Sequence, residues 1–327
     1  MAGLWTTQVR FPRVRCLLRR MWPTDQHGIV QRDAALARGI STRRVDNAVR
    51  SGALILLARG RYLPREALAD VDAPRDELYR YRSIASALGS GRPVLSHDSA
   101  AAVLGLKLLY PDQNNVHVTN GRKSGGSRRP QRNVHAGLLP DDDLVDVDGV
   151  LVTGPARTAV DVALATATFP QGLTAFDAAL AAGVDREDLR RMLATSRRGV
   201  GLARRALSFA DGRAESPGES WSRAQMIEAE LPVPDLQVEY VLASGKTARC
   251  DFGLDDIFVG EFDGLVKYRR SMRAGESPED VVIREKIRED ELRDLGLDVG
   301  RWVWRDLRQT TMVAKLKRRY DRLGIRY

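Results

Sequence analysis

Cysteine is almost missing from this 327-residue chain: Cys16 and Cys250 are the only two. So few thiols, so far apart, make neither a disulfide framework nor the paired spacing of a zinc site. A cytoplasmic protein is the default expectation. Histidine is also sparse, with four in all and none after His135. No apolar run reaches the roughly 20 residues of a transmembrane helix, so no membrane partner is expected. Near the N-terminus Leu17 and Leu18 run straight into Arg19 and Arg20. That break removes the apolar segment a secretory signal requires.

What the chain has in excess is positive charge. Its formal net charge is +9 and its isoelectric point about 9.8. Such a balance favours a polyanionic partner, nucleic acid ahead of a membrane surface. Arginine heavily outnumbers lysine, so a GC-rich coding bias contributes to the same excess. Hydrophobic residues make up 43%, enough for packed cores, and the length calls for two or three domains.

Residues 1–22 read as a basic arm. Residues 23–70 read as a compact DNA-binding unit. Thr24 and Asp25 can cap a first helix; a second fits Arg32 to Arg38 and ends at Gly39. Ser41 caps a third, Thr42 to Arg50, which Ser51 and Gly52 stop. Leu54 to Leu63 has the pattern of a short β-hairpin. Two helices joined by a tight turn and followed by a basic hairpin form a winged helix-turn-helix. In the third helix Val45 and Val49 face inward with Ile40, which places Arg43, Arg44, Asn47 and Arg50 on or beside the opposite face. These side chains reach phosphates and base edges. Arg59 and Arg61 fall at the hairpin, where a wing meets the DNA backbone. The alternative is a solvated basic face, or a winged helix used for protein contact.

Residues 75–210 form a mixed α/β middle domain. Helices are expected over Asp76 to Leu88 and Ser96 to Leu104, and strands over Val116 to Thr119 and Val150 to Thr153. A polar loop spans Asn120 to Arg132. A helix starts near Pro155, and alanine-rich helices continue to about Arg205. His97 and Arg157 read as packing residues, since neither has a recognisable catalytic partner. Gly212, Pro217 and Gly218 mark a boundary.

At this point the chain resembles the AbiEi family of type IV toxin–antitoxin antitoxins. The N-terminal unit carries Arg32-Asp33-Ala34, Gly39-Ile40-Ser41, Val49-Arg50-Ser51-Gly52 and Arg59-Gly60-Arg61-Tyr62. The middle region carries Leu95-Ser96-His97-Asp98-Ser99-Ala100-Ala101, Val116-His117-Val118-Thr119 and Thr153-Gly154-Pro155-Ala156-Arg157-Thr158. The resemblance implies DNA as a partner, autorepression of a two-gene operon, and opposition to a nucleotidyltransferase-type toxin.

Residues 215–327 carry a different signal. Two strands with a turn centred on Asp256 bring Asp251 across from Glu261, and Asp263 shares a face with Glu261. Three carboxylates on one patch repel unless a cation joins them. A hard divalent ion, Mg²⁺ or Mn²⁺, suits oxygen ligands and activates water for phosphodiester cleavage. Glu219, at the start of the preceding helix, can add a fourth carboxylate. Lys267 lies four residues after Asp263 and can stabilise phosphate charge. The element order, helix, three strands, helix, strand, is that of the PD-(D/E)XK fold.

These residues resemble the DUF559 branch of that superfamily, related to very-short-patch repair endonucleases. The resemblance rests on Asp251, Glu261-Phe262-Asp263-Gly264, Lys267-Tyr268, Arg288-Glu289-Asp290, Gly296 and Arg301-Trp302. It departs in two places. Asp263 stands where the superfamily has lysine, and the histidine of many members is absent. The expected fold class is therefore α+β multidomain: an N-terminal winged helix-turn-helix, a mixed α/β middle domain and a C-terminal restriction-endonuclease-like αβββαβ domain. Two functions remain open. One is a metal-dependent endonuclease; the other is a non-enzymatic repressor and antitoxin whose last domain only binds. Recruitment of a partner protein as a scaffold is a third.

Overall fold

Val30 and Gln31 form a short strand, β1, that leads directly into helix α1 (Arg32–Ala37). Gly39 ends it at φ +79°, in the left-handed region where side chains are disfavoured. Ser41 then caps α2 (Thr42–Arg50) by accepting the Arg44 amide proton. The hairpin β2 (Leu54–Ala58) and β3 (Arg61–Pro64) follows, and β1 pairs with β3 to complete a three-stranded sheet. The computed structural model describes residues 21–89, 91–166, 168–264 and 277–327.

Two expectations for this unit need correction. No helix follows Thr24 and Asp25. Asp25 instead accepts the amides of His27 and Ile29 in a turn that bridges Thr24 to Val30. An aspartate serves such a turn as readily as a helix cap. Trp22, assigned to the arm, is 3% exposed in a core with Val30, Ala35, Val45, Leu54 and Tyr62.

The middle region builds a six-stranded sheet. Its strands are β4 (Val94–Leu95), β5 (Val116–Thr119), β6 (Ser127–Arg129), β7 (Arg132–His135), β8 (Leu144–Val147) and β9 (Val150–Thr153). They lie in the order β6-β7-β5-β4-β9-β8, with β5–β7 and β4–β9 parallel. The segment expected as a polar loop therefore ends in a hairpin whose second strand joins the sheet. Helices α3 (Pro74–Ala87) and α4 (His97–Leu104) pack on the sheet. Ile29 and Leu63 enter this core, so the N-terminal unit is seated on the middle region.

Helices α5 (Pro155–Ala165), α6 (Phe169–Ala181), α7 (Arg186–Met192) and α8 (Val200–Phe209) form a helical core around Leu173, Phe176 and Leu189. Their apolar faces carry many alanines, which lets the helix axes approach closely. The next helix, α9 (Pro217–Glu228), packs on α6 and lends Ala224 to that core. The expected boundary at residues 211–218 is thus a bend within continuous packing. Gly218 lets α9 press on the Phe262 ring, where a Cβ would collide.

Beyond α9 come β10 (Asp235–Val241), β11 (Thr247–Leu254), β12 (Phe258–Asp263), α10 (Pro278–Asp294), β13 (Asp298–Val303), α11 (Trp304–Arg308) and α12 (Thr311–Leu323). The sheet order is β10-β11-β12-β13, antiparallel except for β12–β13. Phe252, Phe258, Phe262, Trp302 and Tyr320 fill its core. Among the described residues no helix is long and apolar enough to cross a membrane.

Candidate nucleic-acid interface and a buried histidine cluster

Helix α2 divides cleanly into two faces. Val45 is fully buried, with Ile40, Ala48 and Val49 packed beside it. Arg43, Arg44, Asn47 and Arg50 are exposed on the other side. Arg50 donates to Asn47 Oδ1 at 2.6 Å, and the Arg44 guanidinium lies 5.7 Å from the Trp22 ring centre. Arg59 is exposed at the hairpin turn. Arg61 departs from the expected wing: it is half-buried and donates to the Leu88 carbonyl at 2.8 Å, closing the end of α3. Sequence reasoning missed Arg32, which donates to Tyr62 Oη and pairs with Asp46 at 3.0 Å. That clamp fixes α2 against the hairpin.

The C-terminal acids meet a different environment from the one expected. The register is as predicted: Phe252 pairs with Gly260 and Leu254 with Phe258, which brings Asp251 opposite Glu261. Yet Glu261 lies between two guanidiniums, Arg288 at 2.7 Å and Arg301 at 3.2 Å. Asp251 Oδ2 accepts the Phe262 amide at 2.9 Å. Glu219 is 2% exposed, and its carboxylate accepts from Ser216 Oγ, the Glu215 amide and Gln237 Nε2. It serves the start of α9. Asp263 sits beside Val303 in the register. Lys267 lies outside the described residues. Among the described residues no group of three or more His, Cys, Asp or Glu side chains is placed to hold a metal ion. Of these acids, Glu261 is paired with two arginines and Glu219 is committed to hydrogen bonds.

Three of the four histidines converge in the middle region, an arrangement sequence reasoning did not find. His97 begins α4 with φ +51°, in the left-handed region. Its ring stacks on His135 with centroids 3.6 Å apart. His117 Nδ1 lies 2.9 Å from His135 Nε2, while His117 Nε2 lies 3.2 Å from Asp112 Oδ2 and 3.7 Å from Asp98. Burial, then the neighbouring His135, His117 and Arg157, holds the His97 imidazole well below its ordinary value. Burial, then His117 and Arg128, pushes His135 down to about 4. Both rings are neutral near neutral pH, so each has one donor and one acceptor nitrogen. Between His117 Nδ1 and His135 Nε2 one nitrogen donates and the other accepts, according to the tautomers.

A cavity of about 240 Å³ adjoins the His97 and His135 rings, lined also by Thr119, Arg157 and Asp161. Arg157, read from the sequence as a packing residue, is held by ion pairs at the cavity wall. It pairs with Asp161 at 2.9 Å and Asp143 at 2.6 Å and donates to the Leu138 carbonyl. No sequence spacing reveals the cluster, because it depends on the parallel pairing of β5 with β7, which sets Thr119 beside His135.

Residues 94–208 match the family model of the AbiEi antitoxin C-terminal domain. Two uncharacterized proteins of Mycobacterium tuberculosis, one from each of two strains, are 30% identical over 289 residues. The match covers 86% of this chain and 98% of each relative. The chain belongs to the family of these mycobacterial proteins, and its residues 94–208 are similar to the AbiEi antitoxin C-terminal domain. A crystal structure of the M. tuberculosis protein RV2827C is similar at 19% identity and a TM-score of 0.35, over 68% of this chain and 81% of that one.

Proposed function

We propose that this protein is a DNA-binding regulator of the antitoxin type, non-enzymatic, which represses its own promoter and opposes a toxin of the nucleotidyltransferase class. The observation that carries the reading is the exposed face of α2. Four polar and cationic side chains, Arg43, Arg44, Asn47 and Arg50, stand on a helix whose opposite face is locked into a core. With Arg59 on the adjoining hairpin, α1, α2 and the hairpin act as a winged helix-turn-helix, with α2 as its recognition helix. The antitoxin domain match supports the regulatory role.

Replacing Arg43 and Arg44 together by alanine is expected to weaken binding to the protein's own promoter DNA by about tenfold or more. The salt dependence should flatten by roughly one unit of slope per lost phosphate contact. Unchanged affinity in a fluorescence-anisotropy titration sinks the recognition-helix assignment.

The non-enzymatic part rests on Glu261, whose charge is taken up by Arg288 and Arg301. Supercoiled plasmid incubated with the protein and Mg²⁺ or Mn²⁺ is expected to stay intact. Nicking that disappears in Glu261→Ala would restore the endonuclease reading.

A further inference from the structure

We propose that the groove between β13 and α12 is a second DNA-contacting surface, one that holds backbone phosphates without reading sequence. It lies outside the antitoxin domain match. It rests on the DNA-binding reading above only in taking DNA as the polyanion.

The charge is concentrated there. Residues 298–327 hold nine arginines and lysines against three aspartates, so six of the chain's nine excess positive charges fall in its last thirty residues. The groove measures about 430 Å³ and no acidic side chain lines it. Its floor is the strand at Gly300, and its rim is the row Lys315, Arg318, Arg319 and Arg322, which helical spacing places along one face. Arg301 lines it from the strand, but its charge is taken up by Glu261 and Glu289, each at 3.2 Å.

Nearby acids leave this charge only partly neutralised. Arg319 and Arg322 share one carboxylate, Asp298, and Lys315 pairs with Asp306 at 2.7 Å. Arg318 is exposed and has no acidic partner among the described residues. An arginine excess from coding bias alone would not collect on one groove and leave its walls free of acid.

The occupant follows from the other side of the helix. Met312, Leu316 and Tyr320 are buried against the sheet, so α12 has no apolar face to insert into a bilayer. Guanidiniums, partly oriented by Asp298, instead suit the forked geometry of phosphate oxygens. Contacts of this kind position a protein on a duplex without selecting sequence.

The test uses the full chain with Arg318 and Arg322 both replaced by alanine. Arg319 stays on Asp298, so no buried charge is orphaned, and an unchanged melting temperature confirms the fold. Affinity for an unrelated duplex is expected to fall about tenfold, and the slope of log K against log salt should shrink by roughly two. The double lysine variant should recover most of both. The ratio of promoter to unrelated binding should stay as in the parent, whereas the Arg43 and Arg44 variant should lose that ratio. Unchanged affinity and slope overturn the proposal while leaving the α2 assignment standing. A loss here with none in the α2 variant does the reverse. If the parent binds phosphatidylserine vesicles through these arginines but binds no duplex, the DNA assignment of the groove is overturned.

Discussion

His135 shows how much one side chain's surroundings decide. In sequence it is an isolated histidine at the end of a polar stretch; in the fold it is stacked on His97 and bonded to His117. Its proton affinity falls to about 4, and that of His97 is also held well below the ordinary 6.5. Unfolded, both imidazoles take up protons near 6.5. Between that value and about 4 the unfolded chain therefore binds protons that the folded chain refuses, and stability rises with pH across the window. The contribution is complete above about pH 6.5 and is lost as the pH drops towards 4. The melting temperature is expected to be several degrees lower at about pH 5 than at about pH 7. Substituting glutamine at His97 and His135 should reduce that difference. A parent protein whose melting temperature is the same at both values contradicts neutral burial of the two rings.

At the level of elements, local rules carried well wherever a signal lay within a few residues. The Ser41 cap, the Gly39 stop and the inward Val45 place α2 from sequence alone. The turn at Asp255 and Asp256 sets the β11–β12 register, because both residues adopt φ near +50° and aspartate tolerates that conformation. The misses have two causes, one local and one distant. The turn around Asp25 competes with a helix start that uses the same residue type. The strand β7 gains its identity from β5, more than a dozen residues away. Arg61 looks like a wing residue until α3 presents it with the Leu88 carbonyl. The carboxylate patch was legible as a register, but its partners Arg288 and Arg301 come from α10 and β13, so the neutralisation of Glu261 was not. Side-chain chemistry that depends on a distant element is the part of the site a single sequence conceals.

Across the whole molecule, the most consequential contact joins α6 to α9, across the boundary marked in the sequence by Gly212, Pro217 and Gly218. Asp177 on α6 is 1% exposed, with Arg223 of α9 at 3.1 Å. Ser220 and the Asp211 amide donate to the same carboxylate, and Arg223 also donates to the Phe209 carbonyl. Burial, opposed by Arg223, raises the Asp177 carboxyl to about 6. Every partner in this network lies within one turn of the expected boundary or across it, so the helical core and the C-terminal sheet cannot separate without exposing a buried charge. Removing one member of such a pair costs about 3–5 kcal/mol. Arg223→Ala is expected to destabilise by that amount near neutral pH in urea unfolding. Without Arg223 the Asp177 carboxyl takes up its proton more readily still, so the penalty should shrink as the pH falls through about 6 and level off below it. Tryptophan fluorescence, with Trp221, Trp302 and Trp304 near the junction and the C-terminal core, and far-ultraviolet circular dichroism, weighted by the helices, should report one shared transition in the parent. Two separated transitions, or a cost below about 1 kcal/mol for Arg223→Ala, would mean that the region around residue 211 is a linker after all.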